Sequence, residues 1–346
     1  MRIAITADPY LPVPPRHYGG IERIVDLLAR GLAERGHEVT LFAHPESATA
    51  EKLIAYGTPP HRGARARITE LLQVGTGLWR LRAQLDVIHS FGRLAALWPV
   101  LPLRGLPKVQ SYQRAVPWRG VAVADRLAGR SLRLTACSAS LRSSARDQRA
   151  RTGRWETIPN GVETARYQPV HRVPRDAPLV FLGRLEPIKG PHHAIAIARA
   201  AGRRLVIAGN RVSSSDEYFE RRIAPHLAGD DVVYMGPVDD EHKSALLGAA
   251  AALLMPVEWD EPFGIVMAEA LACGTPVIGF DRGAVPEVVA DGANGFVVRS
   301  VEEAARAVGR LSAIDRAAVR ADCEARFDAG VIVDRYEALY RDMVAR

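Results

Sequence analysis

Residues 258–277 read Glu-Trp-Asp-Glu-Pro-Phe-Gly-Ile-Val-Met-Ala-Glu-Ala-Leu-Ala-Cys-Gly-Thr-Pro-Val. That order leaves the backbone little freedom: an acidic loop, a helix, a stop and a strand. Pro262 biases Glu261 away from the α region and presets a helix start, and Gly264 lets backbone approach a bound molecule without a Cβ in the way. Met267, Ala268, Glu269, Ala270 and Leu271 are helix formers, and Gly274 with Pro276 ends the helix before apolar Val277 and Ile278. The helix start turns free N–H groups and the positive end of its dipole toward the loop, a seat for an anion. Glu261 and Glu269 flank that seat. Taken alone they read as solvated helix acids; their spacing lets the first point at a ligand above the helix start and the second at its far side.

From the N-terminus, a strand over 3–7 leads through a Pro-rich loop, 8–17, to Tyr18-Gly19-Gly20 and a helix over 21–35. Ile21, Ile24, Val25, Leu28 and Leu32 share one face of that helix, and a strand over 37–43 completes a βαβ start. Such an opening predicts a parallel sheet with ligands at the carboxyl ends of its strands. Gly19 and Gly20 read either as an ordinary loop pair or as backbone donors for a phosphate; no GxGxxG fingerprint occurs, which sets aside a dehydrogenase. Helices near 66–84, 94–98 and 122–132 then alternate with strands over 86–89, 108–111 and 134–138. His89 ends the strand 86–89, where it suits a ligand or a structural hydrogen bond equally.

Residues 167–178, polar and proline-bearing, read as a linker. Beyond them the buried-type strand 179–182 runs into Gly183-Arg184-Leu185-Glu186-Pro187-Ile188-Lys189-Gly190 and a helix over 191–201. Arg184 and Lys189 thus flank a loop between a strand end and a helix start, where two cations and a helix dipole can neutralise a diphosphate. Further strands are expected at 205–208, 232–235 and 252–255, and helices at 216–226, 240–249, 302–311, 316–327 and 331–344.

At 346 residues, with 48% hydrophobic side chains, the chain suits two cores rather than one. Cys137, Cys273 and Cys323 are odd in number and lack metal-ligand spacing, so no disulfide framework and no metal site are expected, and a reducing cytoplasm is. The N-terminus does not read as a signal segment, and no apolar run approaches the roughly 20 residues of a membrane span. The net charge of +7 is nearly all arginine, which fits a GC-rich genome and makes the four lysines, 52, 108, 189 and 243, the more informative cations. Residues 1–163 hold 24 Lys and Arg against 13 Asp and Glu, a balance of +11, while 164–346 balance at −4. Arg126, Arg130, Arg133, Arg142, Arg146 and Arg149 crowd the densest part. Such a half is drawn to an anionic membrane face or an anionic acceptor. No amphipathic helix with exposed aromatics marks an insertion site.

The phrase from Glu261 to Ile278 resembles the donor-site signature of the retaining family 4 glycosyltransferases, and Gly183–Gly190 resembles that family's second hallmark. The resemblance is close over the second half and loose over the first. It implies the GT-B fold, an α/β architecture of two Rossmann-like doubly wound domains facing each other across a cleft. Residues 1–163 would form the acceptor side, 164–330 the donor domain, and 331–346 would pack back on the first. Transfer of a sugar from a nucleotide diphosphate to a hydroxyl acceptor, a glycolipid, saccharide or small natural product, follows as the implied activity. On it, Arg184 and Lys189 hold the diphosphate, Gly19 and Gly20 face it, and Gly183 belongs to the donor loop. Gly236 and Val238 accept the base through backbone, and Glu269 accepts from the ribose. Glu261 with the Phe263, Gly264, Ile265 and Val266 backbone holds the sugar, and His89 touches it, although Ser90-Phe91-Gly92 departs from a second histidine expected there. No metal, no cofactor beyond the donor and no nucleic acid are implied. A cytoplasmic enzyme, peripheral at the inner membrane face, is the expected setting. A GT-B sugar-nucleotide epimerase and a non-catalytic nucleotide-sugar binder are the rivals; the first needs acids and bases around the sugar itself, and the second should have lost Arg184, Lys189 or Glu261.

Overall fold

The computed structural model describes residues 1–15, 19–48, 52–57, 63–144 and 153–346. They divide into two compact units, Met1–Gly161 with Ala329–Arg346, and Val162–Asp328. The end of the Pro-rich loop at 16–17, Tyr18, Arg146 and Arg149 lie outside the described residues.

The first unit is built on a parallel seven-stranded sheet. Its strands are β1 (Arg2–Thr6), β2 (Glu38–Ala43), β3 (Lys52–Ala55), β4 (Val87–Ser90), β5 (Lys108–Tyr112), β6 (Leu132–Ala136) and β7 (Trp155–Thr157). They lie in the order β3-β2-β1-β4-β5-β6-β7. Helices α1 (Gly20–Glu34), α2 (Gly63–Leu81), α3 (Trp118–Ala128) and α4 (Ala139–Ser144) supply the crossovers. The second unit has six parallel strands: β8 (Leu179–Leu182), β9 (Leu205–Ala208), β10 (Val232–Tyr234), β11 (Ala252–Met255), β12 (Val277–Phe280) and β13 (Gly295–Val298), ordered β10-β9-β8-β11-β12-β13. Its helices are α5 (Pro191–Ala200), α6 (Asp216–Arg222), α7 (Asp240–Ala249), α8 (Ile265–Ala272), α9 (Val285–Val288), α10 (Val301–Val308) and α11 (Arg316–Phe327). Strand order reverses between β1 and β4 and again between β8 and β11, so each unit is doubly wound and opens a crevice at its switch point.

The last helix, α12 (Ala329–Val344), belongs to the first unit. It packs on α1 where Gly31 makes room: a Cβ there would stand 2.6 Å from Val333 Cγ2. Tyr336 and Tyr340 reach from it into the core, 1% and 0% exposed.

Several expected elements shift, each for a local reason. The helix expected over 216–226 stops at Arg222 and resumes as a 3-10 turn, Ala224–His226, because Pro225 cannot donate a helical N–H. Strand β3 is a short edge strand whose four residues carry too little pattern to be seen. Residues 167–178 are no free linker at their start, since Tyr167 is buried and the Val170 N–H donates to the Cys273 carbonyl. Helix α2 overturns the expectation of no amphipathic helix with an exposed aromatic: Ile68, Leu72 and Trp79 lie on one face and are 57%, 60% and 42% exposed. Among the described residues no helix is long and apolar enough to cross a membrane.

Candidate active site

In the second unit, close backbone approaches at the carboxyl ends of the strands shape the site. The Gly183 N–H after β8 donates to the Ala208 carbonyl, and the Gly209 N–H after β9 donates to the Gly236 carbonyl. Gly209 comes so near that a Cβ would lie 1.9 Å from the Gly183 oxygen. After Arg184, whose guanidinium stands 2.6 Å from Glu186, the chain makes a 3-10 turn, Pro187–Lys189. Gly190 closes the turn in the left-handed region at φ 72°, and a Cβ on it would sit 2.0 Å from the Pro256 carbonyl oxygen past β11. The turn carrying Lys189 therefore rests directly on the chain that leads into the acidic loop. A hydrogen bond from the Glu258 N–H to the Ile188 carbonyl, 2.9 Å, ties the two together.

Lys189 and Glu261 meet there. Lys189 Nζ lies 2.6 Å from Glu261 Oε2, the Trp259 indole N–H donates to the same oxygen at 2.8 Å, and the ammonium stands 4.7 Å from the Trp259 ring centre. Glu261 is 6% exposed. Its peptide is pinned from the other side by the loop after β12: the Ala284 N–H donates to the Glu261 carbonyl, and Gly283 lies so close that a Cβ would stand 2.2 Å from the Glu261 nitrogen. Gly264, at φ 73°, then starts α8. The Phe263 side chain is buried edge-on against Phe327, while Ile265 and Val266 in the first turn stay partly open. Gly236, at φ 79°, has open space where a Cβ would be, and Val238 beyond it is partly exposed.

Glu269, in the middle of α8, is buried. Its Oε1 accepts from Lys243 Nζ at 2.5 Å and from the Tyr167 hydroxyl at 2.9 Å. Both partners are additions to the sequence reading. The rarity of lysine singled out Lys243 as readily as Lys189, but nothing in the sequence placed it on Glu269. Lys108 has a different use: fully buried, its ammonium donates to the carbonyls of Val100, Leu101 and Leu103, and burial pushes its pKa down to about 8.

In the first unit, Gly20 opens α1 with nothing within 4 Å of its Cβ position, whereas Gly19 is wedged between Pro15 and the Glu22 carboxylate. Burial raises the Glu22 carboxyl above its ordinary value, with Asp8 adding to it. Arg114 pairs with Asp8, so the segment 110–118 is fastened to the end of β1.

His89 is corrected by its surroundings. It is 0% exposed, with Nδ1 2.5 Å from the Tyr340 hydroxyl and Nε2 2.6 Å from Ser111 Oγ, and burial lowers its pKa to about 3. Both ring nitrogens are engaged in the core, by Ser111 of β5 and Tyr340 of α12, which leaves neither free for the sugar contact that the resemblance implies.

Two family models meet end to end on this chain, Glycosyltransferase Family 4 over residues 18–166 and Glycosyl transferases group 1 over residues 166–326. The chain belongs to the group 1 glycosyltransferases, with the GT-B fold. This glycosyltransferase is 29% identical to a glycogen synthase of Mycobacterium tuberculosis over 91% of its own length and 86% of the relative's. Its fold matches that of AviGT4, a glycosyltransferase involved in avilamycin A biosynthesis, at a TM-score of 0.73 and 26% identity over 99% and 98% of the two chains. The structure of HepE from Anabaena in complex with UDP and glucose matches at 0.75 and 20% identity over 98% and 99%, a likeness of fold alone.

Proposed function

We propose that this glycosyltransferase moves a hexosyl unit from a nucleotide-diphosphate sugar to a hydroxyl acceptor with retention of anomeric configuration. The observation that carries the reading is the Lys189–Glu261 pair at the mouth of α8, with the N–H groups of the helix start, which no side chain caps, beside it. A cation held by a carboxylate, rather than left to wander, is positioned for an incoming diphosphate to take over. As the bond from C1 to the phosphate oxygen breaks, charge builds on the leaving diphosphate, and Lys189, Arg184 and those N–H groups favour that state over the ground state. Glu261, released from the ammonium, and the backbone at 263–265 then accept and donate to the sugar hydroxyls. Glu269, oriented by Lys243 and Tyr167, receives the ribose. The acceptor oxygen bonds to C1 from the leaving-group side, and its proton passes to a phosphate oxygen. No metal ion takes part in this reading. HepE, with its UDP and glucose, supports a sugar nucleotide as donor.

Release of UDP or GDP from a panel of sugar nucleotides identifies the donor. Lys189→Ala and Arg184→Ala are each expected to cut that turnover by on the order of a hundredfold, as lost stabilisers of developing charge do. Unchanged turnover in both variants refutes the diphosphate assignment, and nucleotide binding without any turnover leaves only a binder.

For the acceptor, the basic balance of residues 1–163 is joined by the exposed Ile68, Leu72 and Trp79 of α2, beside the exposed Arg65 and Arg67. That combination suits an acceptor presented at an anionic membrane face. Co-sedimentation with anionic vesicles at low salt, lost at high salt and weakened by Trp79→Ser, is the expected result; indifference to anionic vesicles at low salt points to a soluble acceptor.

A further inference from the structure

We propose that His192, His193 and Glu258 form a binding site for one divalent transition-metal ion of the zinc class. Consecutive helical residues normally point about 100° apart and do not face each other. Here His192 and His193, in the first turn of α5, have ring centres 4.1 Å apart with an interplanar angle of 36°, and both lean on one carboxylate. Glu258 Oε1 lies 2.7 Å from His193 Nε2 and 3.4 Å from His192 Nε2, and the three atoms all fall within 4.8 Å of one another. A tetrahedral zinc ion with bonds of about 2.0–2.1 Å spaces its ligands roughly 3.3 Å apart, so small side-chain movements bring all three onto one ion.

The surroundings fit that use. His192 Nδ1 lies 2.6 Å from the Tyr218 hydroxyl of α6, and the Phe280 ring lies tilted against His193 with centres 5.6 Å apart, so both rings are held from behind. A tyrosine hydroxyl donates or accepts. Without an ion it serves the tautomer whose Nε2–H faces Glu258; with one, it accepts the Nδ1–H and frees Nε2 to ligate, the usual outer-shell arrangement. The Glu258 side chain is 43% exposed, which leaves an entry path and a fourth position for water. Two imidazoles and one carboxylate select zinc, nickel or cobalt over magnesium, whose preference is for oxygen. Since the Glu258 N–H also donates to the Ile188 carbonyl, an ion here would clamp α5, the Lys189 turn and the loop of Trp259 and Glu261 to one another. Its role is to stiffen that loop. The positive end of α5 opposes the ion and weakens its binding.

The test uses the untagged full chain, stripped with chelator and titrated with Co²⁺, whose visible bands report tetrahedral ligation. One Co²⁺ per chain is expected, displaced by one equivalent of Zn²⁺ and not by excess Mg²⁺. His193→Ala and Glu258→Gln should each lower the affinity at least ~10-fold, and Tyr218→Phe by about 10- to 100-fold as an outer-shell loss. Zn²⁺ should raise the unfolding temperature of the parent protein and not of His193→Ala. Absence of saturable Co²⁺ binding, or binding unaltered by all three substitutions, overturns the proposal.

Discussion

Two glycines in the left-handed region separate backbone strain from misplacement of the site. Gly283, at φ 57°, lies under Glu261; Gly292, at φ 79°, has nothing within 4 Å of its Cβ position. Replacing either with alanine forces an L side chain into the left-handed region, at a cost of about 1–2 kcal/mol. That common cost lowers both unfolding temperatures by a few degrees. Only Gly283→Ala adds a collision: its Cβ would be 2.2 Å from the Glu261 nitrogen and 2.4 Å from its oxygen, where real Cβ contacts stay above 3.0 Å. The Glu261 peptide must therefore retreat by about 0.8 Å, and Glu261 carries both Lys189 and Trp259 on one carboxylate oxygen. A shift near 1 Å in a positioned catalytic group costs on the order of 100-fold in rate. The assay is nucleoside diphosphate release on both variants beside their melting curves. Gly283→Ala is expected to lose about two decades of kcat/KM while folded, and Gly292→Ala to keep parent activity. A folded Gly283→Ala within threefold of Gly292→Ala refutes the argument that this glycine holds Glu261 in place.

Lys243→Met leaves the buried Glu269 carboxylate without its cation and should cost about 3–5 kcal/mol in chemical denaturation, part of it recovered when Glu269→Gln is added. Glu269→Gln alone should weaken nucleoside diphosphate binding by calorimetry, and equal affinity would remove Glu269 from the ribose site. The buried His89 gives a pH prediction. Its folded pKa of about 3 lies below the unfolded value near 6.5, so the unfolded chain takes up the proton first, and stability falls as pH drops below 6.5. By pH 4.5 the loss is about 3 kcal/mol, and the stability of His89→Gln should decline less over that interval; an equal slope in both proteins would place the acid sensitivity elsewhere.

What the amino-acid order determined by itself is local. Pro262, Gly264, Gly274 and Pro276 fix where α8 starts and stops, and Gly183-Arg184 through Lys189-Gly190 fixes a strand end, a turn and a helix start, because such signals act over a few residues of backbone. The regular alternation of strand and helix was enough for two doubly wound sheets. What only the tertiary structure decided is which distant groups share a site. Lys243 and Tyr167 converge on Glu269 from 26 and 102 residues away, and Gly283 slides under Glu261 because β12 lies beside β11. His89 shows the same limit from the other side: its place at a strand end suits a ligand, yet Tyr340, 251 residues later on α12, occupies one of its nitrogens and seals it from solvent. Burial and hydrogen-bond partners depend on which surfaces pack together, and packing is set by the whole fold rather than by neighbours in the chain.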